Sequence, residues 1–270
     1  MSWVQVGSTD VYYQEDGAKD AQPIIFLHGM SSCSDGWYQQ FEHFCDRYRV
    51  IAYDSVNHGR SSNSPRGETE PAREDELQGF LEALGIRSPI LAGNSMGAGT
   101  IIRWAAAHPS EAKALIPSGN GVGVGAGAGA TPPLAAPLDL ETLFIPIGDS
   151  FTEGWKASHP VEYERYLRFR STATRLEALR YPRQRASYGG PALNERVKAI
   201  TSPMLVVVGG LDRLVPLAKN LSTLVPGAEY VEIDGAPHNV YFEAVDAYNA
   251  AVDDFLARKV EKVAAGSTAS

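Results

Sequence analysis

Gly93-Asn94-Ser95-Met96-Gly97 follows the apolar run Pro89-Ile90-Leu91-Ala92 and precedes a helix-forming stretch, Ala98 to His108. A serine between two glycines, where a strand passes into a helix, demands a very tight turn. The serine is expected to take strained backbone angles. Side chains two residues to either side would collide, so both positions favour glycine. Such a turn lifts the hydroxyl clear of a sheet, at the start of a helix whose N–H groups favour negative charge.

Outward from this pentapeptide, short apolar runs alternate with helical stretches. Val4 to Val6 and Val11 to Tyr13 read as a hairpin around Gly7-Ser8-Thr9-Asp10. Pro23 to Leu27, Arg49 to Tyr53, Ile90 to Ala92, Ala114 to Ile116, Met204 to Val208 and Glu229 to Ile233 read as further strands. Trp37 to Phe44 is expected to be helical. Glu74 to Leu84 is amphipathic, with Leu77, Phe80, Leu81 and Leu84 on one face, and Tyr241 to Ala257 reads as the last helix. Continuous apolar strands separated by helices mean an α/β protein with a mostly parallel sheet covered on both faces.

Residues 119–195 break this rhythm. Gly119 to Ala130 is a low-complexity run of Gly, Ala and Val, read as a flexible connector. Its glycines lack the spacing of a dinucleotide fingerprint. Leu134 to Leu193 carries many aromatic and basic residues, with helices expected at Val161 to Arg170 and Thr174 to Leu179. The expected division is therefore a core of residues 1–118 and 196–270 and an inserted helical cap, with its connector, over 119–195.

A serine hydroxyl is a poor nucleophile at neutral pH. It needs a base, and the base needs an orienting carboxylate. Asp212 follows the strand Met204 to Val208, and His238 follows the strand Glu229 to Ile233. Both fall just past C-terminal strand ends, where sites in open parallel sheets gather. Ser95, Asp212 and His238 are thus the candidate catalytic residues, in the chain order expected for a serine presented on such a turn. Two backbone N–H groups would hold a developing oxyanion: that of Met96, after the nucleophile, and that of Met30 in the turn His28-Gly29-Met30. His28 is expected to pin its loop through its ring nitrogens.

The strand ending in His28-Gly29, the elbow Gly93 to Gly97, the loop Gly209 to Pro216 and Pro237-His238 together resemble the α/β-hydrolase superfamily. Asp54 to Ser61 resembles that family's Asp-x-x-Gly-x-Gly-x-Ser loop, with Asn57 in place of the first glycine. Asn tolerates left-handed angles, so the change is acceptable. The resemblance implies the α/β-hydrolase fold: a mostly parallel eight-stranded sheet flanked by helices, with an inserted cap. It also implies a Ser-His-Asp hydrolase. Some relatives carry the acid after the strand that precedes the cap. Here that stretch, Ile116 to Asn120, has no carboxylate, so Asp212 keeps the role.

The elbow also resembles that of carbon-carbon hydrolases acting on ring-fission products. Those usually have Gly at position 98 and Trp at position 239, where this chain has Ala98 and Asn239. Ester and lactone hydrolases of the enol-lactonase type fit as well. The leading expectation is a serine hydrolase of a small or medium carboxylic ester, lactone or thioester. The alternatives are carbon-carbon cleavage of a vinylogous diketone, with Arg183 or Arg185 meeting a substrate carboxylate, and a non-catalytic ligand-binding protein. A cofactor-free perhydrolase side activity would use the same triad.

Ser31, Trp37, Asn94, Trp155 and Arg183 are the candidate substrate contacts, Trp37 serving equally well as core. Cys33 reads as buried filler. The 270 residues carry a formal charge of −8 and two cysteines. The charge argues against a nucleic-acid partner, and two thiols do not make a disulfide framework, so a reducing, cytoplasmic setting is expected. The N-terminal residues do not read as a signal peptide, and no apolar run approaches the roughly 18 residues of a membrane helix. No metal-ligand cluster and no phosphate loop is read, so no cofactor is expected. A small-molecule substrate is the expected partner, and the sequence leaves self-association open.

Overall fold

A computed structural model of the chain describes residues 2–63, 72–123, 150–173 and 191–261. Eight strands form one sheet: β1 (Ser2–Val6), β2 (Thr9–Asp16), β3 (Pro23–Leu27), β4 (Arg49–Tyr53), β5 (Ile90–Asn94), β6 (Ala114–Ser118), β7 (Leu205–Gly209) and β8 (Glu229–Ile233). Their spatial order is β1-β2-β4-β3-β5-β6-β7-β8. β2 runs antiparallel to β1 and β4, and all other neighbours are parallel. The expected hairpin is present with longer arms, closing at Val6↔Thr9.

The helices are α1 (Tyr38–Phe44), entered through a 3-10 turn at Ser34–Trp37, α2 (Arg73–Ala83), α3 (Met96–Ala107), α4 (Glu153–Ser158), α5 (Pro160–Ala173), α6 (Pro191–Val197), α7 (Val215–Leu224), α8 (Val240–Glu243) and α9 (Val245–Leu256). No helix among the described residues is long and apolar enough to cross a membrane.

Successive strand residues point to opposite faces, and here both faces are buried. Ile25, Leu27, Leu91, Leu115, Val206 and Val208 pack on one side with side chains of α2, α3, α6 and α7. Ile24, Phe26, Ala92, Ile116, Leu205 and Val207 pack on the other with α1, α8 and α9. This is why the central strands read as continuous apolar runs. Leu77, Phe80 and Leu81 of α2 are buried, as the helical spacing predicts, while Leu84 is only partly so. Arg103 and Trp104 of α3 fasten α2 through Glu74 (2.9 Å) and Gln78 (2.8 Å).

Two expectations need correction. The last helix is not continuous: Ala244 (φ −104°, ψ 47°) divides it into α8 and α9. Gly119 does not open a loose connector. Residues 119–123 are packed in place, with the Val122 N–H donating to the Leu217 carbonyl at 3.3 Å, and only 124–130 of that run lie outside the described residues. α6 runs across positions 195 and 196, and its Val197 is wholly buried among residues of α3 and α7. The expected helix at Thr174 to Leu179 lies outside the described residues. α4 and α5, the described part of the expected cap, seat on Phe242 through Phe151, Trp155 and Tyr166, with ring centroids 5.0–6.0 Å apart.

The turn from β5 into α3 brings Gly97 against the end of β3 so closely that a Cβ there would overlap the Leu27 carbonyl group. A Cβ at Gly93 would lie 2.9 Å from the Gly97 carbonyl carbon and 3.0 Å from the Leu27 oxygen. Backbone cannot yield as a flexible side chain can. Gly97→Ala should therefore lose about 3 kcal/mol or more of stability, read as a shift in the urea unfolding midpoint at unchanged slope. A midpoint within error of wild type would mean that the β3–α3 approach is looser than described.

Candidate active site

Ser95 has φ 53° and ψ −108°, a left-handed backbone rare outside glycine. Such strain costs on the order of 1–3 kcal/mol and persists only where neighbours over-determine it. The end of β6 and the residues just after it supply the restraint. The Ser95 N–H donates to the Ser118 carbonyl at 2.9 Å, and Asn120 Nδ2 donates to the Ser95 carbonyl at 2.7 Å. Two such bonds, each worth about 1 kcal/mol net, are of the size needed to hold the turn. Ser95 alone is half-exposed in an otherwise buried stretch from Ile90 to Ala105. The turn thus offers one hydroxyl outward, as the glycine spacing predicts.

Asp212 lies in the loop after β7 and His238 in the loop after β8. His238 Nδ1–H donates to Asp212 Oδ2 at 2.8 Å, and both residues are buried. The second Asp212 oxygen accepts the Leu214 N–H at 2.9 Å. This arrangement leaves Nε2 of His238 as the basic nitrogen. Gly119 (φ 57°) sits where the three loops meet. A Cβ on it would lie 2.8 Å from Asn94 Oδ1, 3.2 Å from the His238 carbonyl and 3.3 Å from Asp212 Oδ2. Gly119 and Asn120 are the residues that sequence reading missed, absorbed into the glycine-rich run that follows. The usable signal was their position immediately after a strand.

Met96 is the first residue of α3, where a helix N–H has no partner within the helix. Met30 is the second residue of a turn closed by the Ser32 N–H on the Gly29 carbonyl at 3.2 Å, with Ser31 third at φ 57°. Gly29 abuts the elbow: a Cβ there would sit 3.5 Å from Ser95 Cβ. The Met96 side chain is buried, whereas that of Met30 is 43% exposed.

The two loops beside the elbow are tied by buried polar groups. Asp54, fully buried, accepts the N–H of Ser34 (2.7 Å) and of Arg60 (2.8 Å). Asn57 takes φ 66°, as its place in the glycine motif requires. His28 Nδ1–H donates to its neighbour's carbonyl at Gly29 (2.8 Å), and Nε2 accepts the Ser55 N–H at 3.0 Å. Both ring nitrogens are used, as expected of a pinning residue. Burial holds the His28 pKa below the ordinary histidine range, against the opposing pull of Asp54.

Of the two settings open to Trp37, pocket or core, the structure shows the second. It is wholly buried between Phe26 (4.9 Å) and Tyr241 (4.0 Å), so it is core. Ser31 is buried in its turn. Asn94 points inward, with Nδ2 donating to Asn239 Oδ1 at 3.3 Å and Oδ1 accepting from Ser118 Oγ at 3.3 Å. Trp155 stacks between Phe151 and His159, each 5.2 Å away. Arg183 and Arg185 lie outside the described residues. Cys33 is buried, and burial pushes its thiol well above the ordinary cysteine range, consistent with filler.

Sheet order, elbow and the two following loops define an α/β-hydrolase. The sequence profile of the alpha/beta hydrolase family matches residues 24–251, and the chain belongs to that family. It is 26% identical over 259 residues to a bifunctional esterase/perhydrolase of Acinetobacter calcoaceticus, covering 86% of this chain and 90% of that one. It is 27% identical over 270 residues to a 2-hydroxy-6-oxononadienedioate/2-hydroxy-6-oxononatrienedioate hydrolase of Paraburkholderia phymatum, covering 91% and 90%. The enol-lactonase structure from Burkholderia xenovorans LB400 shares the fold at a TM-score of 0.76 and 22% identity, over 95% of this chain and 100% of that one.

The depressed His28 pKa sets a sign for stability. Unfolded chains bind that proton in the ordinary histidine range and the folded chain binds it lower, so stability rises with pH across the window between. The contribution is complete above that range and is lost as pH falls through it. Urea midpoints of wild type should drop further between pH 8 and pH 5 than those of His28→Gln, which keeps an acceptor for the Ser55 N–H but cannot titrate. Parallel curves for the two proteins would contradict this.

Proposed function

We propose that the protein is a serine hydrolase acting on a small or medium carboxylic ester, lactone or thioester through an acyl-enzyme. The observation that carries the reading is a buried Asp212–His238 hydrogen bond of 2.8 Å, with Gly119 packed between that pair and Asn94 of the elbow, where Ser95 takes positive φ. The relatives that include an esterase support it.

In this mechanism His238 Nε2 takes the Ser95 proton as Oγ bonds to the substrate carbonyl carbon. Negative charge moves to the carbonyl oxygen, where the N–H groups of Met96 and Met30 stabilise it. Each such donor typically lowers the barrier by about 3 kcal/mol. The C–O or C–S bond to the leaving group then breaks, and His238 returns the proton to it. Water repeats the sequence on the acyl-enzyme, with His238 again the base, releasing the acid and restoring Ser95. Asp212 keeps His238 in the productive tautomer and stabilises the imidazolium. Hydrogen peroxide in place of that water would give a peracid, the perhydrolase side reaction.

A second reading is carbon-carbon cleavage of a ring-fission product, supported by the Paraburkholderia relative. Asn239, in place of that group's usual Trp, speaks against it. A reducing, cytoplasmic setting fits two free cysteines. The third possibility, a binding protein, predicts no covalent turnover at all.

A fluorophosphonate probe should label Ser95 alone, seen by intact mass and peptide mapping. Ser95→Ala should abolish both labelling and ester hydrolysis while keeping the unfolding midpoint. Asp212→Asn should lower kcat about 10⁴-fold by favouring the wrong His238 tautomer. Wild-type turnover in Ser95→Ala would end this reading, and a neutral Asp212→Asn would move the acid elsewhere. Turnover of a vinylogous diketone in preference to p-nitrophenyl butyrate would establish the second.

A further inference from the structure

The residue before the proposed nucleophile and the residue after the proposed base are hydrogen-bonded to each other. Asn94 Nδ2 donates to Asn239 Oδ1 at 3.3 Å, and both side chains are buried. The bond spans 145 residues of sequence, so chain connectivity does not impose it. Each amide is held at its far end as well. The single Ser118 hydroxyl proton is shared between the Gly93 carbonyl at 3.0 Å and Asn94 Oδ1 at 3.3 Å. Asn239 Nδ2 donates to the hydroxyl of Tyr166, on α5, at 3.1 Å. The result is a buried row from β6, through the elbow and the base loop, into the helical insertion.

The same loop is also the seat of that insertion. The Asn239 N–H donates to the Ser150 carbonyl at 3.2 Å. Glu243, one turn on, accepts the Thr152 N–H at 2.9 Å and the Thr152 hydroxyl. Phe242 takes the edges of Phe151 (5.8 Å) and Tyr166 (5.0 Å). α4 and α5 therefore rest on the segment that carries His238.

We infer that Asn94, Asn239 and Tyr166 are positioning residues: the Asn94–Asn239 amide pair sets the spacing between Ser95 and His238, and Tyr166 makes that spacing depend on how the cap helices are seated. The inference rests on the triad proposed above. Buried amides are well suited to this work. Each offers a donor and an acceptor in fixed planar geometry, and an unmade bond at such a site is costly, so the pair has one satisfied arrangement. Proton transfer from Ser95 is sensitive to that arrangement, since a misplacement of 1 Å can cost roughly 100-fold in rate. A substrate that lifted or tilted α5 would reach His238 through Tyr166 and Asn239 without touching the base itself.

The test uses Tyr166→Phe, Asn239→Ala and the double variant in the full chain, with p-nitrophenyl butyrate and a fluorophosphonate as probes. Tyr166→Phe keeps the ring against Phe151 and Phe242 and removes only the hydroxyl, so the fold should survive, checked by its unfolding midpoint. We expect kcat to fall roughly 3- to 10-fold in Tyr166→Phe and roughly 10- to 100-fold in Asn239→Ala. KM should change less than two-fold, and the rate of Ser95 labelling should fall in step with kcat. The double variant should be no slower than Asn239→Ala, because both substitutions cut one row. A change confined to KM, unchanged labelling rates, or losses that multiply in the double variant would each overturn the inference. Wild type that is not labelled at Ser95 would overturn the triad and the inference together. Wild type that is labelled, with Tyr166→Phe behaving identically, would overturn the inference alone.

Discussion

The site depends on one steric constraint, the contact of Gly97 with the Leu27 carbonyl at the end of β3. That contact fixes how sharply β5 turns into α3, and the sharpness is what drives Ser95 to positive φ. Everything else around Ser95 restrains a conformation that would relax if left alone. Ser118 at the end of β6 and Asn120 just past it grip its backbone, and Gly29 presses from the turn after β3. The two glycines of the pentapeptide are thus required by neighbouring backbone, and the hydroxyl is exposed because nothing else at that turn has room to be.

Around this centre, buried polar groups take over from sterics. Asp54 and His28 knit the loops after β3 and β4. Asp212, His238, Asn94 and Asn239 knit those after β5, β7 and β8. A buried polar group without a partner is expensive, so each of these side chains enforces a single loop geometry. The apolar strands give the sheet its stability. The polar groups at its C-terminal edge give the loops their register.

Legibility followed the range of the interactions. β4 and β8 were readable to the residue, because Arg49–Tyr53 and Glu229–Ile233 are short β-branched and aromatic runs that stop at Asp54 and at Asp234-Gly235. Ser95, Asp212 and His238 are proposed as a set because each follows such a strand, and of the three the structure brings Asp212 and His238 into hydrogen-bond contact. The break at Ala244 was not readable. Alanine is the best helix former, and the interruption answers to where Phe242 and Tyr248 must pack. Trp37 could not be assigned between pocket and core, since an indole suits both. Asn239 carried no local signal at all: its partners lie 73 and 145 residues away.

Every residue of α3 from Met96 to Ala105 is buried, between β3, β5 and β6 on one side and α2 and α6 on the other. Amide hydrogens in such an element exchange with solvent only when the whole molecule opens, whereas those in surface turns exchange through local fluctuations. The proposed nucleophile therefore stands at the head of this buried stretch. In the Gly29–Ser32 turn Gly29, Ser31 and Ser32 are buried and Met30 alone is exposed. The two proposed donors to an oxyanion thus differ in setting: one opens a buried helical stretch, the other sits in a turn whose Met30 side chain meets solvent.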